Sequence, residues 1–239
     1  MSEPFNPFAA PETRDLVQDQ AVGDYQQLAG VERGLRLIYF GICGVFLSAM
    51  ATGVLAIASR DLMIIGAAGV LISWLMLIIG PFFCLSAPAD SGAKWLIGAS
   101  ILFQLTGFLL SIALRTGADV PLALQLLSQL SGVTGGVLFI LFLMKIAKYI
   151  GREDLRRRGI NVLIGSVVLF VIAMFALYSA TTGVRGNIEP GGLIALVISA
   201  IGALVLFVMY ANLVNYLAKA IGSLRSGSSA SQDTGRYLG

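Results

Sequence analysis

Few residues in this chain could carry chemistry. Three glutamines, Gln104, Gln125 and Gln129, stand inside long apolar stretches, along with hydroxyls such as those of Ser166 and Ser199. A carboxamide can hydrogen-bond a neutral solute or a second helix, but it does not exchange a proton near neutral pH, so it acts as glue or as a lining group. A serine nucleophile needs an adjacent base. None is at hand, because the sequence contains no histidine, the commonest general base, metal ligand and haem ligand. The acidic residues fall in tails and loops, and no Gly-rich phosphate loop with its lysine appears. Cys43 and Cys84 lie within apolar runs, where a thiol behaves as a small hydrophobe. The residues therefore point away from an enzyme, with no cofactor, metal or nucleic-acid partner expected.

The densest charge is Lys145, Lys148, Arg152, Arg156, Arg157 and Arg158, with Glu153 and Asp154 among them. Such a cluster can pin a loop to one side of a membrane, or it can meet anionic lipid headgroups or an acidic partner.

The elements that carry these residues follow from composition. Of 239 residues, 57% are hydrophobic and 12% charged, with a mean hydropathy of +0.86; a soluble domain holds roughly 25% charged residues. A helix crossing bilayer hydrocarbon needs about 20 apolar residues. Uncharged windows of that length run from Leu37 to Ser59, Leu62 to Ser86, Trp95 to Leu114, Pro121 to Met144, Ile160 to Val184 and Leu193 to Leu217. The fold class expected is all-α: a polytopic membrane protein, a bundle of six transmembrane helices arranged as three helical hairpins. Residues 1–34 form an N-terminal arm and a lead-in helix capped at Asp24, residues 35–218 the membrane domain, and residues 219–239 a Ser/Gly-rich flexible tail.

Charge sets the orientation. Of 16 lysines and arginines, all but Arg60, Arg115 and Arg185 fall in the two tails, the second loop or the fourth loop. The positive-inside rule then places both termini and the Gly151 to Gly159 loop in the cytoplasm, with the protein in the cytoplasmic (inner) membrane. Tyr39, Trp95, Tyr149 and Tyr216 fall near that inner boundary, with Tyr178 the best member of a thin outer belt. Trp74, at mid-span, is expected to pack between helices.

Lipid tails solvate leucine as well as leucine does, so helix association requires close backbone approach and interhelical hydrogen bonds. Small residues four apart supply candidate seams: Gly44, Ser48 and Thr52; Gly69 and Ser73; Ser128, Gly132 and Gly136; Ala195, Ser199 and Ala203. Matching depths predict a Gln104–Gln129 hydrogen bond, with Gln125 one turn further out. An offset of 67 pairs Gly92 to Ala113 with Gly159 to Ala180 and gives nine identities in 22 positions, as a duplicated hairpin would.

Two functions fit. The first is an accessory, scaffolding or assembly subunit whose partners are the lipid bilayer, other membrane subunits or anionic lipids. The second is a channel or facilitator for a small neutral solute, lined by the three glutamines.

Overall fold

The computed structural model describes residues 13–58, 60–116, 121–182 and 190–236. Within them lie six long helices: α1 (Thr13–Ala58), α2 (Arg60–Cys84), α3 (Lys94–Thr116), α4 (Leu122–Tyr149), α5 (Glu153–Thr182) and α6 (Pro190–Arg236). Each contains a stretch long and apolar enough to cross a bilayer, the architecture of a multi-pass helical membrane protein. An uncharged run forces this outcome, because only intrahelical bonding satisfies the peptide groups of a single segment in hydrocarbon. The first 12 residues of the arm, with Asn6-Pro7-Phe8 and Pro11, lie outside the described residues, as do the connections at 117–120 and 183–189 and the side chain of Tyr178.

Two boundaries differ from expectation. Helix α1 begins at Thr13, well before Asp24, and α6 continues through the Ser/Gly-rich segment to Arg236. Ser223 and Ser226 donate back to the carbonyls of Ala220 and Gly222, at 2.9 Å each, so hydroxyls that would favour a turn are absorbed along the helix.

Helix ends follow local chemistry. Gly151 adopts φ +73°, its N–H meets the Lys148 carbonyl at 3.0 Å and the Arg152 N–H meets the Ala147 carbonyl at 2.9 Å, the two bonds of a Schellman stop to α4. Between α2 and α3, a 3-10 turn (Ala89–Ser91) ends at Gly92, φ +60°. The Ser91 hydroxyl donates to the Pro88 carbonyl at 2.6 Å and accepts from the Ala93 N–H at 3.2 Å.

Helix α1 packs along α2 and α6, α5 along α6 and α4, and α3 along α4, whereas α2 and α3 touch little. The core lies at one end of the bundle, among Leu28, Leu35, Ile97, Phe142, Ile146, Leu155, Leu217 and Ile221, all essentially inaccessible. Toward the other end large apolar side chains are outward-facing, among them Leu47, Ile64, Leu71, Leu109 and Ile201. The buried end also bears Arg36, Lys94, Lys145, Lys148 and Lys219, which makes it the basic end of the molecule.

Small residues set the α1–α2 distance. A Cβ built on Gly34 would sit 2.6 Å from the Gly80 carbonyl oxygen, and one on Gly41 3.0 Å from the Ser73 carbonyl. Further along, Gly44 lies against Ser73, Gly69 against Ser48, and Gly66 against Thr52, each small group entering the gap left by its opposite number. Trp74 is 46% exposed, with its ring centroid 6.2 Å from that of Phe108 on α3.

Candidate functional site

Side-chain hydrogen bonds join α3 to α4 at three polar residues, Ser100, Gln104 and Ser128. Ser100, on α3, is fully buried, and its hydroxyl donates to the Gly135 carbonyl at 2.7 Å. Gln104, one turn on, donates from Nε2 to Ser100 Oγ at 3.0 Å and reaches the Gly135 carbonyl at 3.5 Å. The Ser128 hydroxyl donates to the Gly107 carbonyl at 3.1 Å. This antiparallel register sets Ser100 opposite Gly135 and Gly107 opposite Ser128, and therefore Gln104 opposite Ser131. Ser131 is buried.

The Gln104–Gln129 bond is thus not formed. Gln129 stands two residues from Ser131, a rotation of about 200° on a helix, which carries it off the seam. Gln125 and Gln129 are both exposed on α4. Matching depth brings residues to the same level of the bundle, but helix phase decides which of them face each other.

The same phase selects the glycines. A Cβ on Gly135 would lie 2.7 Å from Gln104 Cγ and one on Gly107 3.2 Å from the Gly132 amide nitrogen, whereas Cβ atoms on Gly132 and Gly136 would meet nothing within 4 Å. Gly135 is the close-approach position that a rule of spacing four passes over. On α6, Ser199 has a buried hydroxyl with no hydrogen-bond partner, Ala203 is exposed beside a cavity shared with α4 and α5, and the side chain of Ala195 lies outside the described set.

A cavity of about 220 Å³ opens where α2 and α3 stand apart. Trp74, Pro81 and Phe82 of α2, Gln104 and Phe108 of α3, and Tyr210 of α6 line much of it. Its wall is mainly apolar, and Gln125 and Gln129 are not part of it.

At the basic end, the segment from Lys145 to Arg158 is partly self-neutralised. Arg152 holds Asp154 through two bonds of 2.9 Å, and Arg156 holds Glu153 at 2.7 Å. The Arg158 guanidinium lies 5.0 Å from the centroid of the Tyr216 ring, joining α5 to α6 by a cation–π contact. Lys145, Lys148 and Arg157 are exposed.

One cluster lay hidden in the sequence. Glu32 is 3% exposed, with Oε1 2.7 Å from Arg36 Nη2 and Oε2 3.1 Å from Arg225 Nη1. A carboxylate so buried requires compensating charge, and here one comes from its own helix and one from α6. The available signal was periodicity: Leu28, Val31, Leu35, Ile38 and Ile42 keep helical spacing through the polar arm, and Glu32 sits beside that stripe. Among the described residues, no group of His, Cys, Asp and Glu could hold a metal ion.

Comparison with protein-family models, with curated proteins and with solved structures found no match.

Proposed function

We propose that this chain is a non-enzymatic accessory, scaffolding or assembly subunit of a membrane complex, seated in the cytoplasmic membrane with both termini and the basic end inside. The sidedness rests on the positive-inside distribution of lysine and arginine. The role rests on one observation: Gln125 and Gln129, four residues apart, share an exposed face of α4. Gln129 lies about 12 Å along the helix from Pro121, within the hydrocarbon. A carboxamide facing lipid carries a desolvation penalty that a hydrogen bond to another helix offsets. The exposed glutamine pair therefore reads as a docking face for a transmembrane helix of a second subunit.

The facilitator reading has less support. It needs the three glutamines on one path, yet Gln104 is engaged on the α3–α4 seam and the other two lie outside the cavity it lines.

The experiment is a photo-cross-linking amino acid placed at Gln129 and, as a control, at Val168, an exposed site on α5. A discrete adduct of fixed stoichiometry from position 129 only, lost when Gln125→Leu is added, is the expected result. Equal diffuse labelling from both positions would count against the docking face.

A further inference from the structure

Where α1 and α6 meet at the basic end, a pocket of about 250 Å³ is lined by Arg36, Tyr39, Phe40, Asn215, Ala218 and Lys219. We propose that this pocket binds the phosphate of an anionic phospholipid headgroup, with its acyl chains lying along α6 toward the membrane centre. This goes beyond the accessory role and does not depend on it.

The charge balance favours an anion. Glu32 is the only acidic residue on α1 between positions 28 and 58, and α6 has none between 190 and 226. That carboxylate is shared by Arg36 and Arg225 and is itself buried. Among the described residues Lys219 makes no ion pair, and Arg36 shares its one carboxylate with Arg225, so the pocket wall is net positive, with the Arg36 side chain 59% exposed beside it. A phosphodiester would accept from the guanidinium and the ammonium, and the Asn215 amide offers a further donor.

The depth favours a lipid over a soluble anion. From Arg36 to the end of α1 at Ala58 is about 33 Å of helix, one hydrocarbon thickness, which sets Arg36 at headgroup level. Lys219 lies across from it on α6. Below Lys219 the same α6 face continues through Asn215 and Asn212 and then turns aliphatic at Val208, Val205 and Ile201, these last three exposed. Spacings of three and four keep these on one stripe. The stripe is cationic at headgroup level, amide-bearing about 10 Å deeper where ester carbonyls lie, and apolar beyond. Phe40, 59% exposed, flanks the pocket from α1.

The basic segment from Lys145 to Arg158 is the natural competitor, but two of its arginines are engaged by Asp154 and Glu153. It serves as the internal control.

The test uses the full chain in mild detergent and measures binding of fluorescent phosphatidylglycerol, with fluorescent phosphatidylcholine as the neutral probe. With each basic contact worth about 1 kcal/mol, Lys219→Gln is expected to weaken phosphatidylglycerol binding about fivefold and Arg36→Gln/Lys219→Gln about thirtyfold. Lys219→Arg should retain binding, and Lys145→Gln/Lys148→Gln should leave it unchanged. Because Arg36 also pairs with Glu32, the Lys219 variants carry the test should the double variant fail to fold. Equal affinity for the two lipids, equal loss from the Lys145/Lys148 control, or full displacement by millimolar inorganic phosphate would overturn the proposal.

Discussion

The Glu32 carboxylate on α1 lies 3.1 Å from the Arg225 guanidinium on α6, so one ion pair ties together the two longest helices at the basic end. Gly222 permits the approach: a Cβ there would sit 3.0 Å from Glu32 Oε1. Leu28, Val31 and Leu35 share a buried cluster with Leu217 and Ile221 around this pair.

The first expectation concerns this pair. Arg225→Ala should destabilise the protein by about 1 to 2 kcal/mol, less than for a fully buried pair because Arg225 is partly exposed and Arg36 remains. Thermal unfolding in detergent of Arg225→Ala, Glu32→Gln and the double variant forms a cycle that reads the coupling. Strictly additive losses would show that the pair contributes nothing.

The second contrasts two glycines. Gly34→Ala should cost about 1 to 3 kcal/mol, since its Cβ would strike the Gly80 carbonyl, a backbone atom that cannot rotate aside. Gly132→Ala meets nothing within 4 Å and should be neutral or stabilising by up to about 1 kcal/mol, the helix propensity gained. Thermal midpoints of the two variants are the measurement, and similar shifts for both would refute the assigned seam.

The third concerns the α3–α4 hydrogen bonds. Ser100→Ala removes a fully buried hydroxyl bonded to Gly135 and to Gln104, and should cost about 1 kcal/mol. Gln129→Leu should leave the stability of the isolated chain unchanged. If Gln129→Leu proved the more damaging substitution in the purified chain, the register that sets Ser100 opposite Gly135 would be wrong.

How much of the fold and of these contacts is legible in the residues depends on the physical signal. Spans such as Leu62 to Ser86 are readable because hydrocarbon demands an uninterrupted apolar run, and the structure has six helices of that kind. Gly44 and Ser48 fall on the α1–α2 seam, but spacing alone ranks Gly132 and Gly136 above Gly135, since a run of glycines does not reveal which one meets the neighbour. Glu32 escapes notice because a charge in a polar arm looks solvated until the helix pairing with it is known. The repeat illustrates the converse. Gly92 is left-handed at a turn whereas its match Gly159 lies within α5. Identity between these apolar helices does not extend to equivalent helix boundaries.

The most direct measurement of the six-span scheme and its sidedness is cysteine labelling in intact cells. With Cys43 and Cys84 replaced by serine, Ala118→Cys and Arg157→Cys are introduced singly and treated with a membrane-impermeant maleimide. If both termini and the basic end face the cytoplasm, Ala118→Cys labels from outside and Arg157→Cys labels only after permeabilisation. Labelling of Arg157→Cys in intact cells, with Ala118→Cys protected, would contradict that orientation.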